Sequence, residues 1–448
     1  MGQAPASAVP SAGAAAPAGR IEQLDVLRGL AILGILLINL PPAATTILAA
    51  FEFPHLAGWT AADRAAWHFL EVFVEGTQRG LLQFLFGASM LILTARAMND
   101  DGPVRVADLY YRRNLWLLLF GLVNIFVLLF PGDILFVYAL AALFLFPFRR
   151  LGPKTLLALG LSWAIVSALT GGFKYAERAA LVEQVERIET RRVPGEPEPQ
   201  DAAALTQWEE ALREVRPDQE FIAWDTAGRH GSVREYADLM HQFWLQRARD
   251  LEIFFDAVPE AFAAMLIGAA LFKWGFLQGL RRRRVYLLVG AIAYAVGLGL
   301  RLVEVQDQLA HGAGPRIDWI TDELARLATT LGHVSLIALI LTSGAGRRLM
   351  RPFAAAGRIA FTLYVMQTVL IMWVLFPHFA LGLWGKLGWA EMLGLALAIA
   401  AAQLVFANLW LRAFETGPVE WLWRSLVLWR RQPFRKVRTA GSDGEKGG

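Results

Sequence analysis

Long apolar runs recur along this chain and constrain its fold more than any other feature. A run of about 18 or more apolar residues can cross the hydrocarbon core of a bilayer as one helix. Only 18% of the 448 residues are charged, whereas a soluble domain carries about 25%. Backbone polar groups in lipid must be satisfied within the segment itself, which favours helices. The sequence therefore predicts an all-α fold, a polytopic transmembrane helix bundle.

The apolar runs number ten. They cover residues 26–48, 78–95, 114–130, 133–148, 155–172, 253–277, 284–304, 323–343, 358–380 and 389–411. Five predicted regions follow: a disordered cytoplasmic tail (1–20), an N-terminal membrane half (21–172), a long helical periplasmic loop (173–252), a C-terminal membrane half (253–412) and a basic cytoplasmic tail (413–448). Pro194, Gly195 and Pro197 predict that the loop is split into two helical stretches.

The positions of Lys and Arg give an independent prediction of orientation. Basic residues in short loops are retained on the cytoplasmic side. Clusters follow every second run: Arg96, Arg105, Arg112 and Arg113; Arg149, Arg150 and Lys154; Arg281 to Arg284; and Arg347, Arg348 and Arg351. This alternation predicts a multi-pass protein of the bacterial inner membrane with both termini cytoplasmic. Because the basic residues are explained as orientation signals, no nucleic-acid partner is predicted; the predicted partner is the lipid bilayer.

Several kinds of chemistry are excluded by composition and motif. The chain has no cysteine, which removes disulfides, thiolate metal sites and a cysteine nucleophile. It contains no Gly-rich phosphate loop, no HExxH and no GxSxG motif. His333 and His378 are single histidines without a second ligand at metal spacing, so they are interpreted as structural and no metal site is predicted.

Ionisable and amide side chains inside the predicted spans are the candidate site residues, because each must find a partner, a cavity or an interface. Asp25 and Arg28 lie three residues apart at the start of the first span. They form either an ion pair at the cytoplasmic end or part of a site. Asn39 lies about three turns further along much the same face, where it serves either an interhelical hydrogen bond or a site.

The densest polar strip begins the second span and contains Glu71, Glu75, Gln78, Arg79 and Gln83. Their spacing of three and four residues predicts one continuous polar face. This face is either an ion-paired helix end or the wall of a polar cavity open to the periplasm. The amphipathic residues 59–76 before it are expected to lie in the outer interface or to lengthen the second helix.

Other polar groups have both structural and functional interpretations. Asp133, which follows Pro-Gly, is predicted to cap the fourth helix. Asp256 and Glu260 are like charges four residues apart, an arrangement that is unfavourable unless a cation or a proton is shared. Tyr364 and Gln367 interrupt the ninth span and are expected to join helices or to line a site.

Two parts of the chain carry a family resemblance, namely the first predicted span and the C-terminal part. The stretches are LDVLRGLAILGILLIN at 24–39, GRIAFTLYVMQTVL at 357–370 and GPVEWLWRSL at 417–426. They resemble the YeiB-like membrane proteins, which are defined by a domain of unknown function, number 418. RGLLQFLFGAS at 79–89, PGDILFVYAL at 131–140 and MLIGAALFKWGFLQG at 265–279 complete a set in the expected order. The resemblance covers nearly the whole chain and implies a membrane bundle.

The first helix is also similar to that of membrane acyltransferases that modify cell-surface glycans. Asp25 and Arg28 match the aspartate and arginine of that pattern, whereas Asn39 occupies the position of its histidine. Asn124 stands in the third span where relatives often carry a histidine. Neutral Asn does not take a proton as imidazole does near pH 7, so a glutamate would have to act as the base.

These observations leave three functional hypotheses. The first is an acyltransferase-like protein that uses acyl-CoA and an envelope glycan or lipid-linked acceptor. Its expected catalytic residues are Asp25, Arg28, Glu71 and Glu75, and its expected binding residues are Asn39, Arg79, Gln83, Asn124, Asp133, Glu260, Tyr364 and Gln367. The second is a transporter or flippase whose path is lined by the same residues. The third is an assembly or scaffold protein without a small-molecule site.

Overall fold

The described part of the chain is almost entirely helical. The structure, a computed structural model, describes residues 21–97, 102–191, 199–310 and 312–436. Within these ranges the chain forms helices and turns and no β-strand. The predicted all-α fold class is therefore confirmed. The predicted tail at 1–20 lies outside the described residues, as does the end of the basic tail from 437 onwards.

The helices fall into three groups along the chain. The first group is α1 (Glu22–Ala44), α2 (Ile47–Phe51), α3 (Ala61–Phe69), α4 (Thr77–Ala97), α5 (Gly102–Phe126), α6 (Ile134–Leu145) and α7 (Pro153–Arg191). The second is α8 (Pro199–Glu214), α9 (Gln219–His230) and α10 (Val233–Arg249). The third is α11 (Val258–Lys273), α12 (Arg283–Leu309), α13 (Asp318–Ile340), α14 (Gly344–Arg358), α15 (Ala360–Val369), α16 (Trp389–Ala413) and α17 (Pro418–Val427).

Short turns of other helix types join these elements. Two are 3-10 helices, at Pro54–Ala57 and Phe146–Arg150. Three are π-helical turns, at Leu70–Val74, Ile253–Ala257 and Leu370–Leu375. The turn at Ile253–Ala257 runs directly into α11, and the turn at Leu370–Leu375 continues α15.

The apolar helices match those of a membrane protein. Within the described ranges, six helical segments are long and apolar enough to cross a bilayer: α1, α7, α11 with its π-helical turn, α12, α13 and α16. A seventh is obtained if α14 and α15, which are bent by 72° at Ile359, form one broken span. The predicted count of ten spans stays a prediction, since α6, for example, has 12 residues and about 20 are needed.

The bundle has two ends, which we call the loop face and the terminal face. At the loop face α9 packs on the end of α1, where Arg229 Nη2 donates to the Pro42 carbonyl oxygen at 3.0 Å. At the terminal face α17 packs on the start of α5, where Trp423 Nε1 donates to the Arg113 carbonyl oxygen at 3.2 Å. Successive long helices run between these two faces.

Glycines allow the central helices to approach closely. A Cβ atom at Gly87 of α4 would overlap the Met265 carbonyl group of α11, and one at Gly268 of α11 would overlap the backbone of Phe84. Small residues are the usual means by which membrane helices bring their backbones together. The contact of α4 with α11 fixes the positions of the polar side chains that both helices carry.

The loop-face end of α1 is capped by a side chain from far along the chain. The last carbonyl groups of any helix lack partners within that helix. Arg229 donates to the Pro42 and Ala43 carbonyl oxygens at 3.0 and 3.2 Å. Arg229 also pairs with Asp225 at 2.8 Å, and Asp225 accepts from Ile47 N at 3.1 Å. This buried group fastens α9 to the bundle.

Some boundaries differ from those predicted. The fifth apolar run was predicted to end at 172, but α7 continues as one helix to Arg191. The second of the two helical stretches predicted for the loop is divided into three separate helices, α8, α9 and α10. The predicted break at Pro194, Gly195 and Pro197 lies outside the described residues. The reason is local: Asp218 and Ser232 each accept backbone N–H groups as N-caps and so begin new helices.

Residues 59–76 do not lengthen the second predicted helix. They form α3 and the π-helical turn Leu70–Val74, and the helix then stops. Gly76 has a φ angle of 69°, a left-handed conformation that glycine adopts without steric penalty. A new helix, α4, begins at Thr77.

Candidate functional site

The break at Gly76 divides the predicted polar strip into two parts. Glu71 and Glu75 precede the break and line a pocket at the loop face. Arg79 and Gln83 follow it on α4 and contact charged groups between the helices. Gln78 lies against α1, because a Cβ at Gly34 would meet its side-chain amide at 2.7 Å. The charged residues of the strip therefore lie in two neighbouring environments, the loop-face pocket and the contacts between the helices.

The loop-face pocket is a cavity of about 190 Å³ between the ends of α1, α12, α13 and α16. Its charged lining residues are Glu71, Glu75, Arg301, Glu304, Arg316, Asp318 and Asp322. Phe51 and Trp389 add aromatic surface. Five carboxyl groups against two guanidinium groups make the pocket suited to amines or to several hydroxyl groups.

Arg301 is the central cation of this pocket. Its side chain is 6% exposed, and its Nη1 lies 2.7 Å from Asp322 Oδ1 and 3.1 Å from Glu304 Oε2. Its Nη2 donates to the Glu75 carbonyl oxygen at 3.5 Å. Its Nε atom has no hydrogen-bond acceptor among the described residues. A buried donor without a partner is costly, so Arg301 can bind an acceptor atom of a ligand.

Glu71 has the environment of a proton-exchanging group. It lies in the π-helical turn before α4, outside the segments that are long and apolar enough to span a bilayer. Burial, and next the nearby Glu75 carboxylate, raise the pKa of Glu71 to about 8. A carboxyl group with a pKa near the working pH is suited to general acid and base catalysis.

A buried charge cluster lies directly beneath the pocket, and we define it as Arg79, Gln83, Glu260, Glu323 and Arg326. Arg326 is fully buried and donates to both oxygens of Glu323 at 2.8 and 2.9 Å. It also donates to Gln83 Oε1 at 2.9 Å and lies 3.4 Å from Glu260. Glu260 accepts from Gln83 at 2.9 Å and pairs with Arg79 at 3.3 Å. Two arginines therefore balance two carboxylates inside the bundle.

This cluster explains how Glu260 is tolerated next to Asp256. The expectation that a cation must be shared holds for Glu260, whose partners are Arg79 and Arg326. Asp256 lies in the π-helical turn before α11 and is exposed. The two acidic residues therefore do not form one site.

Asn124, Asp133 and Tyr364 form a second group in the hairpin between α5 and α6. Asp133 accepts from Phe136 N at 2.7 Å, which confirms the predicted cap of α6. The other carboxylate oxygen accepts from Asn124 Nδ2 at 2.7 Å and from the Tyr364 hydroxyl at 3.0 Å. This group ties α15 to the hairpin, and Asn124 Oδ1 has no hydrogen-bond partner among the described residues.

Gln367 and Asn39 do not join either group. Gln367 Nε2 donates to Gln403 Oε1 at 2.8 Å and to the Ile32 carbonyl oxygen at 2.9 Å, so it joins α15 to α16 and α1. The side chain of Asn39 is partly exposed and makes no hydrogen bond with a described residue.

Asp25 and Arg28 pair with each other at 3.3 Å at the terminal face, far from Glu71. Along α1 the 16 residues from Asp25 to Pro41 span about 24 Å. The predicted site residues therefore do not converge on one site. The lining of the loop-face pocket contains none of Arg28, Asn39, Arg79 and Asp133.

Several buried charged residues are not among the site residues predicted from the sequence. They are Arg301, Glu304, Glu323, Arg326 and Glu420. Four of these five lie inside predicted spans, at the edges of runs 284–304 and 323–343, where a complete inventory of ionisable residues would have included them. Within the described ranges, no group of three or more His, Asp or Glu residues is arranged to hold a metal ion.

The helices, the buried ion pairs and the charged pocket define a polytopic all-α membrane protein. The chain belongs to the DUF418 family, whose model, described as "Protein of unknown function (DUF418)", matches residues 271–430. The chain is 31% identical to the uncharacterized protein YxaH of Bacillus subtilis, over 93% of this chain and 96% of the relative. It is 28% identical to the uncharacterized protein YeiB of Escherichia coli, over 90% and 95%. The predicted YeiB-like membership is confirmed.

Proposed function

We propose that this protein is a membrane-embedded acyltransferase that transfers an acyl group from a thioester to a cell-envelope acceptor held in the loop-face pocket. The observation that carries the proposal is Glu71, a carboxyl group with a pKa of about 8 in a pocket lined by polar groups. We place the protein in the inner membrane with both termini cytoplasmic, because the arginine clusters of the short connections lie at the terminal face.

In the proposed reaction Glu71 is the base. Its carboxylate accepts the proton of an acceptor hydroxyl or amine while the oxygen or nitrogen attacks the carbonyl carbon of the thioester. The carbon–sulfur bond breaks, and the thiolate takes a proton from water. Glu71 then returns its proton to water. This assigns to a glutamate the role that a histidine has in the similar acyltransferases, where this chain has Asn39.

The pocket composition supports an acceptor rich in amine or hydroxyl groups. Asp322 is held in place by Arg301 through Oδ1, and its other carboxylate oxygen can accept hydrogen bonds from such groups. Glu304 already accepts from Arg301 and from the Thr321 hydroxyl, so it fixes the shape of the pocket. The Asp25 and Arg28 pair marks the donor side in this proposal. Because about 24 Å separate the two ends of α1, the donor must extend along the helix bundle to reach Glu71.

Transfer of label from acetyl-CoA to envelope glycans tests the proposal. Purified wild-type protein in lipid nanodiscs is compared with Glu71→Gln, and Glu183→Gln on the exposed surface of α7 is the matched control. Loss of a general base lowers the rate about 100-fold or more, so Glu71→Gln should be nearly inactive and Glu183→Gln unchanged. If the wild type neither binds nor transfers the acyl group, and Arg28→Ala leaves glycan acylation in cells unchanged, acyl transfer is excluded.

A proton-coupled transporter is the second candidate, and the buried charge cluster favours it. Ionisable residues inside a membrane bundle are typical of proton and substrate pathways. In this alternative Glu71 takes up a proton at the loop face, and the pairs of Arg79 and Arg326 rearrange as a substrate passes. Uptake of an amine into proteoliposomes that requires a pH gradient, without any acyl transfer, would favour transport.

A further inference from the structure

The C-terminal segment closes a second pocket, which lies at the terminal face. The backbone after α16 pairs with the last described residues: Glu415 N donates to the Phe434 carbonyl oxygen at 3.1 Å, and Lys436 N donates to that of Ala413 at 3.1 Å. Phe414 stacks on Trp410 with ring centroids 4.1 Å apart. The segment is therefore held against the bundle by both backbone and aromatic contacts.

This terminal-face pocket is basic. It has a volume of about 530 Å³. Its lining includes three basic side chains, two uncharged polar ones and one carboxyl group: Arg358, Arg424, Lys436, Thr416, Gln432 and Glu415. The excess of positive charge favours an anionic ligand.

Two of the polar groups have no bonding partner in the described part of the chain. Thr416 is 4% exposed, and its Oγ1 atom has no hydrogen bond with a described residue. Arg424 forms no ion pair with a described residue. By contrast, Lys436 is fixed by donating to the Leu411 carbonyl oxygen at 2.6 Å. Buried hydroxyl groups are usually hydrogen-bonded, so an unsatisfied one beside an exposed guanidinium group indicates a ligand.

The pocket is bordered by a helix with the character of a membrane-surface helix. α17 carries Arg424 and the 42% exposed Leu422, and Leu428 and Trp429 directly after the helix are 48% and 69% exposed. Helices with an exposed apolar face and basic neighbours lie in the plane of the bilayer interface. Basic pockets at the cytoplasmic side of helix bundles bind the head groups of anionic lipids.

We propose that the terminal-face pocket binds the phosphate group of an anionic phospholipid. Arg424 pairs with the phosphate oxygens, and the Thr416 hydroxyl donates to one of them. A free phosphate ester offers the same chemistry, so the test must separate the two sources. The proposal is independent of acyl transfer, since its test measures only binding.

Binding is measured with full-length protein in detergent by native mass spectrometry, using phosphatidylglycerol, phosphatidylcholine and inorganic pyrophosphate as probes. Each Lys or Arg near an anionic lipid contributes about 1 kcal/mol, so Arg424→Gln should weaken phosphatidylglycerol binding about fivefold. Thr416→Val, which keeps the shape of the side chain, should also weaken it. Arg283→Gln removes an exposed charge at the start of α12 and should have no effect.

Each outcome decides the proposal. Preferential phosphatidylglycerol binding that is weakened in Arg424→Gln and Thr416→Val, and unchanged in Arg283→Gln, supports it. Equal binding by the wild type and both pocket variants overturns the site. Variant-sensitive binding of pyrophosphate without binding of phosphatidylglycerol overturns the lipid assignment and indicates a soluble phosphate compound as the ligand.

Discussion

Replacing Arg326 by Met is the sharpest perturbation of the buried charge cluster. The change keeps an unbranched side chain of similar length but removes a guanidinium group that is 0% exposed. Glu323 then loses both of its charged hydrogen bonds, at 2.8 and 2.9 Å. Glu260 keeps Arg79 at 3.3 Å. One carboxylate of the cluster is therefore left buried without a counter-charge.

The expected loss is large, because breaking a buried pair from one side costs about 3–5 kcal/mol. We expect the free energy of unfolding of Arg326→Met to fall by about this amount. Removing the orphaned charge as well, in Arg326→Met with Glu323→Leu, should restore most of it, since a buried ion pair and an apolar pair of similar volume differ little. The assay is unfolding of the purified full chain by SDS in mixed micelles, followed by circular dichroism.

The control is Arg234→Met on α10. The Arg234 guanidinium is 92% exposed and lies 3.9 Å from Asp238, a surface pair worth about 0–1 kcal/mol. If Arg326→Met destabilises the protein no more than Arg234→Met, the cluster is hydrated or not formed. If the double variant is less stable than Arg326→Met, the explanation by an orphaned Glu323 charge is wrong.

Three further predictions concern other parts of the molecule. The folded chain keeps the Glu71 proton up to about pH 8, whereas the ordinary pKa of a glutamate is 4.5. The stability of the wild type relative to Glu71→Gln should therefore fall as the pH rises between these two values. A difference in thermal unfolding between the two proteins that is constant with pH would contradict this. Glu420 accepts a hydrogen bond from Phe361 N at 2.7 Å at the start of α15. Glu420→Ala should lower the free energy of unfolding by about 1–3 kcal/mol in the same SDS assay. An unchanged unfolding midpoint would exclude a capping role for Glu420. Gly87→Ala should lower the free energy of unfolding by about 1–3 kcal/mol, because its Cβ overpacks the contact with α11. The control is Gly172→Ala, whose Cβ meets no atom within 4 Å and should not be destabilising. Equal effects of the two substitutions would refute the close contact of α4 with α11.

The sequence predicts those features of the fold that depend on interactions between residues close together in the chain. Apolar runs predict helices because lipid leaves the backbone no other partner, and six such helices are present among the described residues. The cap formed by Asp133 was predictable for the same reason, since an N-cap bonds only to residues two or three positions ahead. Charge clusters predict an orientation, which fusion reporters placed after α14 and within α9 would test directly.

The buried charge cluster and the pocket were not predictable in this way. Arg326 meets Gln83 across 243 positions, and Gln83 meets Glu260 across 177. No spacing rule connects residues that distant. The average hydropathy of α13 also conceals Arg326, because one charge changes the mean of a long apolar helix very little. The break at Gly76 depends on a positive φ angle that its neighbours in the sequence do not specify.

The cap that Arg229 supplies to α1 can form only late in the synthesis of the chain. Arg229 follows Pro42 by 187 positions, and a ribosome adds about 5–20 residues per second. The first helix therefore enters the bilayer roughly 10–40 seconds before its exposed carbonyl oxygens meet their final donor. During that interval water or a translocation partner must satisfy them, and a ribosome stalled before α9 would release a chain whose first helix is unfinished at one end.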